Sequence, residues 1–477
     1  MALLPRRRSG PTPPRHGAPR AFALGLVSGL VYFVGTTYWT GSVMRQYGDL
    51  HPVVAVLVML ALAAYLALYP ATFALIVQWL ASRLGPAALL LAPAVWVTTE
   101  LGRGHLFTGF PWVLLGYSQT PVVPVAQLAS VFGVYGLSAL VALVNVALVA
   151  AVVERRAWRW AVVAGALAAV LGTVAWGSLR VRDGALVRGG ETFRVGLIQG
   201  NVSQDQKWLP ESAEAILESY RDMSREAAAR GARLIIWPES SFPFYFEEDL
   251  LEGATVRSLA SRTHTWILFG ADQVERDAAS RYFNAAFLVD PRGAVAGVYR
   301  KVHLVPFGEY VPLGRFLSFA EPLVRQVGGF SPGARMVELP VAGHRVSTEI
   351  CYEIVYPELA RLATEGGSEL LTTITNDAWF GRSSAPWQHF DQAALRAVEQ
   401  GRYLVRAANT GISGLVDPYG RVLVRSDLFE PVSIVGDIRF LTGRTIYARI
   451  GDAFAYACAG ATAAALLLAV ALRRPGL

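Results

Sequence analysis

Three residues whose side chains could together perform nucleophilic chemistry follow predicted strands in the second half of the chain. Glu239 lies in the motif WPES, Lys301 in YRKVH and Cys351 in EICYE. A carboxylate can remove a thiol proton, while an ammonium group favours the thiolate and stabilises the negative charge of a tetrahedral intermediate. A Glu, a Lys and a Cys at three strand ends are therefore predicted to form a nucleophilic site.

Cys351 is the only cysteine of this region, because Cys458 lies in the last apolar run of the chain. No disulfide can therefore form around it, and an unpaired thiol in an oxidising compartment is a liability unless it is buried or useful. A buried structural cysteine is the alternative interpretation of Cys351 taken alone. The accompanying Glu239 and Lys301 favour a nucleophile.

Two other kinds of site have less support in the sequence. A Cys–His site of the papain type would need one of three histidines, His303, His344 or His389, and no predicted element turns one of them towards Cys351. Metal binding has less support still, because the two cysteines lie in different regions and no histidine pair has the helical i, i+4 spacing. We expect no metal and no cofactor.

Strands alternate with helices between residues 193 and 450. Short β-branched runs predict strands at residues 194–199, 233–237, 266–270, 346–350 and 370–374, and amphipathic stretches predict helices at residues 212–230 and 387–400. The sequences DPRG at residues 290–293 and DPYG at residues 417–420 predict two hairpin turns. Elements in this order predict a layered α/β sandwich that carries the three candidate residues.

The first part of the chain is unusually poor in charge, with nine charged side chains in residues 21–179. Apolar runs that approach the roughly 30 Å of a bilayer core are found at residues 21–40, 52–80, 86–99, 122–153, 160–179 and 453–472. We therefore expect a membrane domain of about five spans at residues 21–179 and a further span at residues 453–472. This pattern excludes a wholly soluble enzyme, a disordered chain and a disulfide-stapled secreted module.

The net charge of +7 is concentrated beside the apolar runs, at residues 6–8, 155–159 and 473–474. Basic residues next to spans mark the cytoplasmic side, so this charge indicates topology, and no nucleic acid is expected as a partner. With six spans both termini lie in the cytoplasm, residues 1–20 form a basic cytoplasmic tail, and the domain at residues 193–450 is extracytoplasmic. An uncleaved first span is preferred over a signal peptide, because no small-x-small cleavage site follows it.

The connection at residues 100–119 is richer in glycine, proline, aromatic and ionisable residues than a simple turn. One interpretation is an interfacial turn with an aromatic belt. The other is part of a lipid-facing rim beneath the outer domain. Both place the connection at the membrane surface.

Longer motifs resemble one family over nearly the entire chain. WPES, YRKVHLVPFGEYVP and EICYE resemble the Glu–Lys–Cys motifs of the nitrilase, or carbon–nitrogen hydrolase, superfamily. HLVPFGEYVP, FSPG at residues 330–333, CYE, TNDAWFG at residues 375–381 and TELGRGHLFTGFPWVLLGYSQ at residues 99–119 are similar to the bacterial apolipoprotein N-acyltransferases. That family usually has eight spans, and the two that are lacking here would precede the first.

The resemblance implies a nitrilase-like αββα sandwich on the extracytoplasmic, periplasmic face of the bacterial inner membrane, attached to a polytopic α-helical membrane domain. It implies transfer of an acyl chain from a phospholipid to the N-terminal diacylglyceryl-cysteine of an apolipoprotein, the last step of lipoprotein maturation. Cys351 would carry the acyl chain as a thioester, with Glu239 as general base. Lys301 would stabilise the oxyanion together with the backbone N–H of Tyr352.

Further residues are implied in supporting roles. Glu309 and Glu353 would orient Lys301. Aromatic side chains would line an acyl-chain entrance or a lid at the bilayer surface, namely those of Trp208, Phe316, Phe319, Trp379 and Phe380.

The expected partners are the phospholipid donor, the diacylglyceryl apolipoprotein and the membrane, and the enzyme is expected to act as a monomer. A membrane-anchored nitrilase-type amidase is the alternative function, since an amidase also proceeds through a cysteine thioester. The membrane spans and the aromatic residues favour lipid substrates. An intact Glu, Lys and Cys set argues against a non-catalytic membrane scaffold.

Overall fold

The computed structural model describes residues 17–207, 209–276, 280–310 and 329–472 of the chain. Most of the expected basic tail at residues 1–20 lies outside the described residues, as do Trp208, Phe316 and Phe319. In the described ranges, helices near both ends of the chain flank a domain that contains two β-sheets.

The α-helices are α1 (Gly17–Thr37), α2 (Trp39–Gln46), α3 (Pro52–Leu84), α4 (Ala92–His105), α5 (Val123–Ala126), α6 (Ala129–Val153), α7 (Trp158–Asp183), α8 (Ala185–Arg188), α9 (Gln204–Lys207), α10 (Pro210–Ala229), α11 (Leu250–Thr263), α12 (Pro357–Glu365), α13 (Ala385–Gln400), α14 (Ile446–Ile450) and α15 (Ala453–Ala471). Short 3-10 turns lie at Pro86–Leu91, Leu106–Thr108, Leu115–Gln119, Cys351–Val355 and Asp377–Phe380. The strands are β1 (Thr192–Gln199), β2 (Leu234–Ile236), β3 (Trp266–Glu275), β4 (Arg281–Val289), β5 (Val295–Arg300), β6 (Leu339–Val341), β7 (His344–Ile350), β8 (Leu370–Thr375), β9 (Leu404–Ala408), β10 (Gly414–Val416), β11 (Val422–Arg425) and β12 (Val432–Arg439).

Among the described residues, five helices are long and apolar enough to cross a membrane. They are Gly17–Thr37, Pro52–Leu84, Ala129–Val153, Trp158–Arg188 and Ala453–Ala471. The remaining predicted span, residues 86–99, is a 3-10 turn followed by α4, whose 14 residues are too few to cross a bilayer alone. The predicted run at residues 122–153 is divided into the short helix α5 and the long helix α6.

The segment Pro86–His105 nevertheless runs from one end of the helical bundle to the other. Near its start, Ala88 packs with Leu80 of α3 and Ala469 of α15, close to the ends of those helices. Just after its end, the carbonyl of Gly109 accepts a hydrogen bond of 3.1 Å from the hydroxyl of Tyr356, which belongs to the sheet domain. The 3-10 turn and α4 together rise about 30 Å, which is the thickness of a bilayer core.

The expected loop at residues 100–119 begins later than predicted. Glu100 and Arg103 lie inside α4 and are buried. Glu100 accepts a hydrogen bond from the backbone N–H of Leu115, and the Arg103 guanidinium donates to the carbonyl of Trp112 at 2.7 Å. In the sequence these two charged side chains look like part of a surface turn. In the structure they are buried and hydrogen-bond to the backbone of the loop that follows.

The domain at residues 193–450 contains two sheets of six strands. The first has the order β12-β1-β2-β3-β4-β5, and the second has the order β11-β10-β9-β8-β7-β6. The central pairs β1–β2, β2–β3, β7–β8 and β8–β9 are parallel, and the other pairs are antiparallel. In parallel pairs the carboxyl ends of the strands lie at the same edge, which is where the candidate residues are found.

The core of this domain has three layers of apolar contact. Between the sheets, alternate residues of both pack together, among them Leu197, Leu268, Ile350 and Ile374. Helices α10 and α11 cover the outer face of the first sheet, and α12 and α13 cover that of the second. This is the predicted αββα sandwich, and the predicted strands, both hairpins and both helices of the domain are confirmed.

Candidate active site

Cys351 lies at the point where β7 turns sharply into a 3-10 helical turn. Strand β7 ends at Ile350, and the turn Cys351–Val355 follows without a linker. The backbone of Cys351 has a φ of +54°, in the left-handed region that side chains other than glycine rarely adopt. Such a conformation costs about 1–3 kcal/mol, so the surroundings must hold it in place.

Glu239 and Lys301 lie close together and are almost completely buried. The Nζ of Lys301 is 3.6 Å from Oε1 of Glu239 and 2.9 Å from Oε1 of Glu309. Glu239 follows β2, Lys301 follows β5, and Glu309 lies in the loop after Lys301. The structure thus places one ammonium group between two carboxylates.

Asn284 also joins the two carboxylates. Its Nδ2 donates to Oε1 of Glu239 at 2.8 Å and to Oε1 of Glu309 at 3.0 Å. The other oxygen of Glu239 accepts from the backbone N–H of Asn376 at 2.9 Å, and the other oxygen of Glu309 accepts from that of Val305 at 2.8 Å. Both carboxylates are therefore held on both oxygens, as buried charges require.

Lys301 is kept charged by this arrangement. Burial alone would lower the pKa of its ammonium group, but the carboxylates of Glu309 and Glu239 raise the pKa well above the ordinary value. Lys301 therefore provides a fixed positive charge at neutral pH and cannot serve as a base there.

The thiol of Cys351 lies within the electrostatic reach of the same groups. Burial raises the pKa of Cys351 well above the ordinary value, and the charge of Glu239 raises the pKa further, while Lys301 lowers it. Cys351 is therefore a neutral thiol at rest, and its proton must be removed during a reaction. Glu239 is a buried carboxylate that interacts electrostatically with both this thiol and Lys301.

The other predicted supporting residues hold the backbone around the site. Glu353 does not bond to the ammonium of Lys301 but accepts from the backbone N–H groups of Val302 and His303, at 2.7 and 3.0 Å. Its second oxygen accepts from the N–H of Ile350 at 2.7 Å, so one carboxylate ties the loop after Lys301 to the end of β7. Burial raises the pKa of Glu353 to about 7.

Aromatic residues join the site to the membrane helices. The ring of Tyr352 stacks on Trp112, with centroids 6.2 Å apart and planes 17° apart. Phe380 packs edge-on against Trp39 of α2 at 4.8 Å, and Trp379 packs against Tyr47 at 4.7 Å. Trp379 and Phe380, two of the aromatic residues predicted to bind substrate, thus lie where the two domains meet, and Trp208 lies outside the described residues.

The three histidines considered for the alternative Cys–His site make contacts of different kinds. His389 contacts the carbonyl oxygen of Cys351 at 3.1 Å and not its thiol. His303 packs against Tyr356 with the ring planes 40° apart, and His344 contacts Glu369 and Glu191.

Several polar residues of the site have no distinctive motif. Asn284 is a polar residue in the otherwise apolar stretch of β4, which is the signal that could have marked it. Lys207 donates from Nζ to the backbone carbonyl of Glu239 at 3.1 Å, and burial lowers the pKa of Lys207 to about 8. Burial likewise raises the pKa of the neighbouring Asp272 to about 7. Neither residue carries a spacing that predicts its place beside the site.

The chain matches two family profiles. Residues 12–147 match the apolipoprotein N-acyltransferase N-terminal domain, and residues 194–446 match the carbon-nitrogen hydrolase family.

Curated relatives named apolipoprotein N-acyltransferase cover most of the chain. The relative from Geobacter metallireducens is 42% identical over 462 residues, which are 95% of this chain and 88% of that protein. The relative from Methylococcus capsulatus is 37% identical over 441 residues, which are 91% of this chain and 84% of that protein. Among solved structures, an amidase from Nesterenkonia sp. is similar with a TM-score of 0.41 and 23% identity, over 53% of this chain and 93% of that one.

We expect Asn284→Leu to slow acylation of Cys351, because leucine has a similar volume but cannot donate to Glu239 and Glu309. The expected loss is roughly 10–100-fold, the size typical of a misplaced catalytic group. The measurement is the initial burst of p-nitrophenol from p-nitrophenyl acetate.

Arg281→Leu is the matched control, because Arg281 lies on the same strand and its side chain is exposed. A burst as fast in Asn284→Leu as in Arg281→Leu would show that Asn284 does not position the carboxylates.

Proposed function

The chain belongs to the apolipoprotein N-acyltransferase family, and from this premise we propose that it moves an acyl chain from a phospholipid to the N-terminal amine of a diacylglyceryl-modified lipoprotein. It is a membrane protein and an acyltransferase of the carbon–nitrogen hydrolase superfamily. The proposal extends to the identity of donor and acceptor, to the roles of the site residues, and to the side of the membrane on which they act.

The observation that carries the proposal is the position of the buried Glu239–Lys301–Cys351 set against the loop at residues 106–119 of the membrane part. Tyr352, the residue after the proposed nucleophile, stacks on Trp112 of the membrane part. Trp112 in turn donates from Nε1 to Gln388 of α13 at 2.8 Å. An ester at the lipid surface can reach a site in this position without moving far from the bilayer. A water-soluble amide substrate would not require a site beside the membrane.

In the first half-reaction, Glu239 accepts the proton of Cys351 as the sulfur attacks the carbonyl carbon of the phospholipid ester. The resulting oxyanion is stabilised by the charge of Lys301 and by the backbone N–H of Tyr352. When the intermediate collapses, the ester C–O bond breaks and Glu239 returns the proton to the leaving alkoxide. The products are a lysophospholipid and a thioester on Cys351.

In the second half-reaction, the N-terminal amine of the lipoprotein attacks the thioester. Glu239 accepts a proton from the attacking nitrogen, and Lys301 again stabilises the oxyanion. The C–S bond then breaks, the thiolate of Cys351 regains a proton, and the amide is released. Because donor and acceptor react in turn at one cysteine, the reaction is of the ping-pong type.

Two features support an extracytoplasmic catalytic domain. The segment Pro86–His105 packs near Leu80 and Ala469 at its start and reaches the sheet domain after its end, so we count it with the five long helices as a sixth proposed crossing. The ends of the bundle away from the sheet domain carry Arg83, Arg155, Arg156 and Arg159, and basic residues mark the cytoplasmic side. We therefore propose that in a bacterium the domain lies on the outer face of the inner membrane.

The proposed reaction predicts an acyl adduct on one cysteine. Purified protein incubated with phospholipid and no acceptor should gain the mass of one acyl chain on the peptide that contains Cys351, and lysophospholipid should appear in equal amount. Cys351→Ala should remove the adduct, because no other thiol lies in the site. The measurement is mass spectrometry of the intact and digested protein.

Cys458→Ala is the control for this experiment, since Cys458 lies in α15. An adduct that persists in Cys351→Ala, or that is lost in Cys458→Ala, would contradict the proposed nucleophile. Release of free fatty acid without transfer to an added lipopeptide amine would indicate a hydrolase.

The proposed topology predicts opposite labelling of two exposed sites. In a variant that lacks both native cysteines, Arg225→Cys on α10 should react with a membrane-impermeant maleimide in intact spheroplasts. Arg155→Cys, between α6 and α7, should react only after permeabilisation. Equal labelling of both positions in intact spheroplasts would contradict six crossings.

A further inference from the structure

The backbone carbonyl of Cys351 is held by a histidine. The Nε2 of His389 lies 3.1 Å from this oxygen. A carbonyl oxygen can only accept a hydrogen bond, so Nε2 must carry a hydrogen and donate it. The peptide group that is held joins Cys351 to Tyr352, and the N–H of that group is the proposed oxyanion donor.

His389 is itself fixed by two buried charged residues. With the hydrogen on Nε2, Nδ1 is an acceptor, and Nη2 of Arg406 donates to it at 3.0 Å. Oδ1 of Asp377 lies 3.0 Å from the same nitrogen. Arg406 also donates to the other oxygen of Asp377, at 2.9 Å. Asp377, His389 and Arg406 are all 0% exposed, so water does not compete for these contacts.

Each member of this group is anchored on a different element. His389 projects from the long helix α13, Arg406 lies in β9, and Asp377 opens the 3-10 turn that follows β8. The hydroxyl of Thr375 donates to Oδ1 of Asp377 at 2.9 Å. A Cβ atom at Gly411 would overlap the carboxylate of Asp377, so glycine there leaves the space that the carboxylate occupies.

The position that His389 contacts is the strained one. Cys351 has its left-handed φ of +54° at the residue whose carbonyl His389 holds. A residue in that conformation persists only when its surroundings fix it. Rotation of this peptide group about the Cα–C bond of Cys351 would move the Tyr352 N–H relative to the thiol, so fixing the peptide fixes the two groups relative to each other.

We propose that His389 is a positioning residue for the nucleophile: its Nε2–H, oriented by Arg406 and through Arg406 by Asp377, locks the Cys351–Tyr352 peptide so that the thiol and the oxyanion donor face the substrate together. This inference rests on the proposed role of Cys351. It assigns His389 no proton transfer, because the ring contacts the carbonyl oxygen of Cys351.

Two amide substitutions separate the two nitrogens of the ring. In His389→Gln the side-chain amide reaches the place of Nε2 and can still donate to the carbonyl of Cys351. In His389→Asn the amide reaches only the place of Nδ1, so it keeps contact with Asp377 and Arg406 but loses the carbonyl. Both side chains are polar and smaller than histidine, so we expect the two substitutions to lower the stability of the fold to a comparable degree.

The readout is single-turnover formation of the thioester on Cys351, measured against phospholipid concentration. We expect His389→Asn to lower the maximal acylation rate by roughly 10–100-fold, with the half-saturating lipid concentration unchanged. His389→Gln should remain within about fivefold of the wild-type rate, because it restores the donor. Equal rates in the two variants, whether both fast or both slow, would overturn the proposal.

A second substrate distinguishes failure of this inference from failure of the proposed function. The p-nitrophenyl acetate burst reports acylation of Cys351 without any lipid, and the same order of variants is expected there. Absence of acylation by phospholipid in the wild-type protein would count against the proposed function, and the burst would still decide the role of His389.

If the Asn variant does not fold, Arg406→Lys provides the second test. Lysine keeps a positive charge beside Asp377 but lacks the guanidinium group that also contacts His389. An acylation rate lowered about tenfold is expected, and a wild-type rate would overturn the proposal.

Discussion

One buried ammonium group between two carboxylates determines how the site is built. Lys301 lies 2.9 Å from Glu309 and 3.6 Å from Glu239, and its side chain is 1% exposed. Removing three charges from water is costly, and their mutual attraction offsets the cost only when the remaining hydrogen-bonding positions are satisfied. Asn284 and the backbone N–H groups of Asn376 and Val305 satisfy them. The edges of both sheets must therefore meet around Lys301. Cys351 lies near Lys301 because it follows β7 at the edge of the second sheet.

The same arrangement is coupled to the membrane helices through a glutamine. Gln388, the residue before His389 on α13, accepts from the indole N–H groups of Trp39 and Trp112, at 3.2 and 2.8 Å. Its amide donates to the carbonyl of Thr36 at the end of α1, at 3.0 Å. The helix that carries His389 is thus hydrogen-bonded to the membrane part of the chain.

Much of the fold could be predicted from the sequence, because its signals are local. Strands β1, β7 and β8 are short β-branched runs, and the two Asp-Pro turns mark the hairpins β4–β5 and β10–β11. The limits of α4 could not be predicted in this way. Glu100 and Arg103 look like surface charges in a linear sequence, yet they are buried because Leu115 and Trp112 supply their partners. Partners that are distant in sequence decide such cases.

The site was predictable to a similar degree. Glu239, Lys301 and Cys351 stand at recognisable strand ends, and the structure brings them together. The residues that hold them, Asn284 above all, carry no spacing signal, since their partners come from other strands. Glu353 shows the limit of residue chemistry alone: a carboxylate near Lys301 could be expected to contact the ammonium, but it binds the backbone on either side.

The central claim is that Glu239 and Lys301 act as one unit on the thiol of Cys351. A double-mutant cycle of Glu239→Gln, Lys301→Met and the double variant, followed by single-turnover acylation from phospholipid, tests it most directly. Each single substitution should slow acylation by roughly 10²–10⁴-fold. The double variant should be little slower than the slower single variant, because each substitution already disables the shared unit. Losses that multiply in the double variant, or an unimpaired Lys301→Met, would contradict the account.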